Sequence, residues 1–275
     1  MLRTMNDLEG SAIHATDGNI GHVKDFYFDD EAWVLRYLIV DAGTWLSSRN
    51  VLISPIAIDH PNWAEKILPV SITKEQVRNS PDIDTDKPVS RQHEILHLGY
   101  YGYSYYWGDN NYWGAGAYPF MLLPGYGGLI APPQAVSSAE MEAQARDEAA
   151  RHRNDDLHLR SYKEVVNYYI KANDGDIGHL QGILFDEETW AIRNLIVNTS
   201  NWWLGHQVLI APQWIRDVNW PETTISVNLT QQAVKDAPPY NSAELLNREQ
   251  ELAIFKHYGL TGYWADQLSG GKSET

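Results

Sequence analysis

The sequence predicts a mainly β protein with accessory helices, built from two tandem copies of one small barrel or sandwich. Three observations predict it. The chain repeats itself at a fixed offset. Each copy breaks into short runs of β-branched and aromatic residues separated by turn signals. A Gly- and Tyr-rich tract with neither strand nor helix periodicity separates the copies. Short strands at close spacing with polar turns between them are the pattern of small barrels and sandwiches.

The repeat comes first because it organises everything else. Asp17-Gly-Asn-Ile-Gly-His22 returns as Asp174-Gly-Asp-Ile-Gly-His179, and 174 − 17 gives an offset of 157. Without a gap, that offset aligns Phe28-Asp-Asp-Glu-Ala-Trp33 with Phe185-Asp-Glu-Glu-Thr-Trp190. It aligns Arg36-Tyr-Leu-Ile-Val40 with Arg193-Asn-Leu-Ile-Val197, and Val51-Leu-Ile-Ser-Pro55 with Val208-Leu-Ile-Ala-Pro212. Roughly a third of positions are identical over about a hundred residues, too long a unit for a solenoid repeat. Each copy is large enough to fold as a domain.

Within copy one, Asp17-Gly18 is a turn dipeptide and Ile20–Phe28 and Leu35–Val40 are strands. Asp29-Asp-Glu31 between them is a hairpin tip, and Val51–Ile53 and Ile67–Ile72 complete the strand set. Pro55 and Pro212 stand at strand ends, where the missing N–H costs little. Thr73–Arg78 is a short helix ending near Pro81. A second helix spans about Ser90–Leu98, matched by Asn247–Phe255. The expected organisation is barrel 1 over 1–85, an accessory helix over 86–98 and a Gly/Tyr/Trp-rich connector over 99–136. A linker helix over 137–157 follows, then barrel 2 over 158–240 and a second accessory helix with tail over 241–275. In the linker helix Ser137 with Glu140 forms a capping box and Glu142 with Arg146 an i,i+4 pair.

Composition narrows the function. A net charge of -15 repels phosphate backbones, so no nucleic-acid partner is expected; cationic partners are favoured. With no cysteine, the sequence itself offers no disulfide, thiolate nucleophile or cysteine metal site. No run approaches the ~20 apolar residues of a membrane span, and the first residues lack a signal-peptide core. A cytoplasmic protein that does not span a membrane is expected.

The stretch Arg91-Gln-His-Glu-Ile-Leu-His97 contains H-E-x-x-H, which on a helix sets two histidines one turn apart for zinc with a glutamate as base. A third ligand is missing where the extended pattern needs one, since Tyr100 and Tyr103 occupy those places. The second copy is more decisive. It reads Arg248-Glu-Gln-Glu-Leu-Ala-Ile254, keeping the arginine and glutamate and losing both histidines. His93 and His97 remain weak metal candidates, and Arg91 with Glu94 reads as a structural i,i+3 pair. His22 and His179 are the histidines that recur, and a strand histidine satisfied by a neighbouring carboxylate is the expectation. Asp17 and Asp174 read as turn formers. The acidic tips Asp29–Glu31 and Asp186–Glu188 read as solvated loops, with divalent-cation binding as the alternative. Trp33/Trp190, Trp45/Trp202 and Trp63/Trp220 recur, with core packing as the first reading and a recognition face as the second.

The repeated residues resemble the PRC-barrel family. That family includes the cytoplasmic domain of the photosynthetic reaction-centre H subunit and the C-terminal domain of the ribosome maturation factor RimM. Copy one supplies Asp17-Gly18, Ile20-Gly21, Val23, Asp25, Tyr37-Leu-Ile-Val40 and Val51-Leu-Ile-Ser-Pro55. Copy two keeps Asp174-Gly175, Ile177-Gly178, Leu195-Ile-Val197 and Val208-Leu-Ile-Ala-Pro212. It departs at Leu180, Gly182 and Asn194. The resemblance implies a six-stranded barrel in each copy, no catalytic residues and no cofactor. It implies a non-enzymatic docking or scaffold protein, linked to stress or complex assembly. A small-molecule or metal-binding module and a ribosome-assembly accessory factor are the alternatives. A protein partner is expected, with self-association through the like barrels or the aromatic tract as a further option. The interaction candidates are Tyr100, Tyr101, Tyr103, Tyr105, Tyr106, Trp107, Trp113, Trp33, Trp190, His22 and His179.

Overall fold

The computed structural model describes residues 1–46, 49–81, 89–107, 111–114, 116–124, 158–199, 206–260, 262 and 264. The linker helix expected over 137–157 lies outside the described residues, as do Trp202 and Tyr126. The chain divides into two compact units that do not follow sequence order. The first unit holds Thr4–Glu164 and Asp186–Ile192. The second holds Met1–Arg3, Val165–Phe185 and Arg193–Thr275.

The chain's first strand, β1 (Leu2–Thr4), leads into a one-turn helix α1 (Met5–Leu8) whose N-terminus is closed by a Thr4/Asp7 capping box. The first unit's sheet then uses β2 (Ala12–Ala15), β3 (Gly18–Asp29), β4 (Val34–Asp41), β5 (Asn50–Ile53) and β6 (Ile67–Pro69). Their order is β5-β4-β3-β2-β6, antiparallel except for the parallel β2–β6 pair. A sixth strand, β7 (Leu159–Ser161), is laid against the far end of β3, with Tyr27 opposite Ser161 and Asp29 opposite Leu159. Helices α2 (Lys74–Asn79) and α3 (Arg91–Tyr101) follow the strands. Helix α3 runs three residues past the expected end and stops at Gly102, which takes the left-handed φ of 71°.

Strand β4 is buried from Val34 to Val40. A sheet wet on one side would alternate buried and exposed along the strand. Here α3 and the start of the Gly/Tyr tract cover the second side. Tyr37 meets the ring of His97 at 5.3 Å, and Arg36 lies under the rings of Tyr106 and Trp113. A core cluster of Tyr27, Tyr37, Ile39, Leu52 and Val89 takes in Leu159 of β7.

After α4 (Tyr162–Val165), the second unit repeats the plan with β8 (Tyr169–Ala172), β9 (Gly175–Asp186), β10 (Ile192–Asn198), β11 (Gln207–Ile210), β12 (Ile215–Asn219) and β13 (Thr224–Val227). Helices α5 (Gln231–Lys235) and α6 (Arg248–His257) complete it. The sheet order is β11-β10-β9-β8-β13-β12, with β1 added against β9. Strand β12 answers the Ile58–Asn62 region of copy one, which makes only isolated bridges, Ile58 to Val70 and Asn62 to Ile67. Two mainly β units of six and seven strands bear out the expected fold class, although among the described residues the strand path of neither sheet closes into a ring.

The offset of 157 holds for backbone geometry as well as for residues. Trp33 and Trp190 both take positive φ, 53° and 59°, as do Lys66 and Thr223, at 53° and 50°. The Ile-Gly pair has a packing reason. A Cβ on Gly21 would sit 1.9 Å from the carbonyl oxygen of Asp41, and one on Gly178 equally close to that of Asn198. Each glycine lets the neighbouring strand pass at backbone distance.

The division of the chain also exposes an exchange. Strands β1 and β7 are equivalents under the repeat, yet β1 belongs to the sheet of the second copy and β7 to the sheet of the first. Among the described residues, no helix is long and apolar enough to cross a membrane.

Candidate functional site

Glu94, Arg91, Tyr106 and Asp29, four residues singled out in the sequence, meet in one buried cluster in the first unit with Arg36 and His158. Glu94, fully buried on α3, accepts from Arg91 at 3.1 Å and contacts Nε2 of His158 at 2.8 Å; its other oxygen accepts from the Tyr106 hydroxyl. Alongside, the Arg36 guanidinium donates to Asp29 at 3.0 Å and to the Tyr112 carbonyl, and lies 3.7 Å from the Tyr106 ring centre. Burial drives the Tyr106 hydroxyl well above the ordinary tyrosine range, with the Glu94 charge adding to it. Burial also pushes the Asp29 carboxyl up. The Arg36 charge and the Ala32 N–H outweigh that and hold it below the usual carboxylate value. The cluster satisfies charges that the fold has taken out of water, each by a specific partner.

The two H-E-x-x-H histidines part company in three dimensions. His93 is exposed and its Nδ1 sits 3.1 Å from Ser90 Oγ at the helix N-terminus. His97 is 1% exposed and wedged between the rings of Tyr37 and Tyr101. Among the described residues, neither of its ring nitrogens has a hydrogen-bond partner. No group of three metal-ligating side chains occurs among the described residues. What the two copies share is the arginine–glutamate pair, 3.1 Å for Arg91–Glu94 and 3.0 Å for Arg248–Glu251.

Burial pulls the His97 imidazole down to about 3. A histidine whose folded value lies below its unfolded value of about 6.5 adds no pH dependence above that value. Between about 6.5 and 3, the unfolded chain takes a proton that the fold refuses, so stability falls as pH falls. Melting temperature measured from pH 6.5 down to 5 is expected to drop more steeply in the wild type than in His97→Phe. Equal slopes would show that His97 is solvated in the native state.

The repeated acids are used internally. Asp17 Oδ1 accepts from the N–H of Lys74, and Asp174 Oδ1 from that of Gln231, both at 2.7 Å. Each aspartate therefore anchors the N-terminus of a helix 57 residues away, rather than only shaping its own turn (74 − 17 and 231 − 174). Asp29 accepts from Glu31 and Ala32, and Asp186 from Glu188 and Thr189, so the first acid of each tip closes its own loop. His22 is exposed and His179 half-buried, and among the described residues no contact joins either to the carboxylate that sequence reasoning expected.

The aromatic candidates separate by burial. Tyr103, Tyr106, Trp113 and Trp190 are buried and serve the packing of the first unit, Trp113 through a 2.7 Å bond from its indole N–H to the Thr189 carbonyl. They offer no surface to a partner. Trp33 stacks on Phe28. Tyr100, Tyr101, Tyr105 and Trp107 keep some exposure, Tyr105 stacking on Trp107 at 4.6 Å.

Further along the tract the first unit carries a half-open cleft of about 690 Å³. Ile58, Asp59, His60, Pro61 and Trp63 form one part of its lining, Tyr118-Pro-Phe120 another, and Glu187, Glu188 and Trp190 the third. Tyr118 and Phe120 are stacked at 5.5 Å, and Phe120 is 37% exposed. The sequence signals here were the recurrent Trp63, the acidic tip and the aromatic tract; nothing in the sequence joined them.

Comparison with known proteins adds two findings. Residues 3–77 match the family model described as PRC-barrel domain. An 84-residue stretch is 31% identical to an uncharacterized protein of Deinococcus radiodurans, and covers 30% of this chain and 30% of that protein.

Proposed function

With residues 3–77 a PRC-barrel domain, we propose that the chain is a non-enzymatic docking protein that holds a protein partner on its first unit. The observation that carries this reading is the cleft whose accessible rings are Trp63, Tyr118 and Phe120. Aromatic side chains brought from two separated segments to one open groove are what partner anchors require. They present large apolar area with little rotamer entropy to lose, and hot spots concentrate on such residues. The groups best suited to acid–base chemistry, Glu94, Tyr106 and His158, support the same reading because they are engaged with one another around a fully buried carboxylate. The family resemblance favours assembly of a larger complex as the setting.

The test compares full-length wild type with Tyr118→Ala/Phe120→Ala as bait. Captured proteins are identified by mass spectrometry and rebound in purified form. A partner whose affinity falls by ~10-fold or more in the variant, about 1.4 kcal/mol, supports the proposal. Partners that bind both baits equally place docking elsewhere on the chain.

A further inference from the structure

The cleft's lining has a definite chemistry. Its accessible rings come from Trp63, Tyr118 and Phe120, and its carboxylates from Asp59, Glu187 and Glu188. Glu188 is exposed and the Asp59 side chain is 69% exposed, so these two charges face water. The protein already shows what it does with rings and carboxylates together. Arg36 lies 3.7 Å from the Tyr106 ring centre while bonded to Asp29. Arg91 lies 4.3 Å from Trp107 while bonded to Glu94, and Arg248 lies 4.6 Å from Trp264 while bonded to Glu251. Three times, a guanidinium is held by a ring face and a carboxylate at once. The face attracts the cation through its quadrupole, and the carboxylate fixes its direction.

Resting on the docking reading above, we propose that this cleft accepts a basic peptide segment of the partner, an arginine side chain lying against the rings with its head at Asp59 and Glu188. The volume, about 690 Å³, is larger than one side chain needs and suits a short segment. The half-open shape lets the segment's backbone run along the mouth. The net charge of -15 draws such a segment toward the protein, and the rings give it a place to stop.

The probe is an acetylated tetra-arginine amide, followed by tryptophan fluorescence and calorimetry on the full chain at about 0.15 M salt, where the Debye length is about 8 Å. The uncharged tetra-citrulline peptide keeps the shape and removes the charge. Saturable binding of the arginine peptide, ~10-fold or more tighter than citrulline, is expected. Asp59→Asn/Glu188→Gln and, separately, Phe120→Ala are each expected to weaken it by about 5-fold or more, in line with charged and aromatic contacts of this kind. Glu244→Gln/Glu249→Gln removes two exposed charges from the second unit and should change affinity by less than ~2-fold. Equal binding of arginine and citrulline peptides overturns the proposal, as does no binding at all. An equal loss in the control pair also overturns it, since the attraction is then the diffuse field of the whole chain. A protein partner that needs Tyr118 and Phe120 while the arginine peptide fails leaves the docking site standing and removes only the cationic occupant.

Discussion

Glu94→Ala is expected to lower stability by about 3–5 kcal/mol, the cost of breaking a buried ionic cluster from one side. Glu94 has no exposed surface and is the shared acceptor for Arg91, His158 and the Tyr106 hydroxyl. Its removal takes a shared carboxylate acceptor from three groups at once, leaving Arg91 and His158 the Tyr106 hydroxyl oxygen. The Arg91 side chain is 22% exposed and Tyr106 only 3%, so neither regains full hydration without opening the unit. The equivalent Glu251→Ala should cost much less. Its side chain is 6% exposed, but Arg248, one of its partners, is 53% exposed and turns to water when released. Urea denaturation of the two variants, followed by hydrogen exchange to localise the loss, makes the comparison. Matching losses would mean that the exposure of the paired arginine does not set the cost.

That contrast also shows how far the sequence could be read. The repeat identified Arg91 with Glu94 as structural, because copy two keeps both and discards the histidines. It singled out the Ile-Gly pairs, and the backbone approach at Gly21 and Gly178 explains them. It did not reveal that Tyr106 and His158 close on Glu94. They lie 12 and 64 residues further on (106 − 94 and 158 − 94), and no local period links them. The Gly/Tyr tract read as a connector because aromatic residues that wrap an arginine need no helical or strand spacing. Their partner is Arg36 of β4, chosen by the fold. Asp17 and Asp174 illustrate the same limit. Asp-Gly announces a turn, yet each side chain reaches a helix 57 residues away.

The strand exchange was invisible for a different reason. Strands β1 and β7 are near equivalents, Leu2-Arg-Thr4 and Leu159-Arg-Ser161, and either would present the same pattern to either sheet. Only long-range pairing decides between them, and side chains around β7 show what favours the exchanged arrangement. Arg160 donates to Asp30 at 2.7 Å, Ser161 donates to Asp25, and Leu159 enters the Tyr27, Tyr37 and Leu52 cluster.

The exchange predicts a crossed response to mutation. Leu159 is 2% exposed and Leu2 5%. Leu159→Ala should destabilise the sheet of copy one by about 2–4 kcal/mol and Leu2→Ala the sheet of copy two by a similar amount, the usual range for buried leucine truncation. Each substitution therefore weakens the barrel to which its residue does not belong in sequence. Hydrogen exchange read by mass spectrometry separates the two. Faster exchange in β3 and β4 is expected for Leu159→Ala, and in β9 and β10 for Leu2→Ala. Loss of protection within the same copy would place each strand in its own sheet and remove the exchange. The crossed result has a consequence for assembly. Because a strand from one copy completes the other, neither copy cut at the boundary near residue 157 keeps its native edge: β3 loses β7 and β9 loses β1. Separately expressed halves should therefore expose strand edges that pair with other chains, and gain stability when mixed.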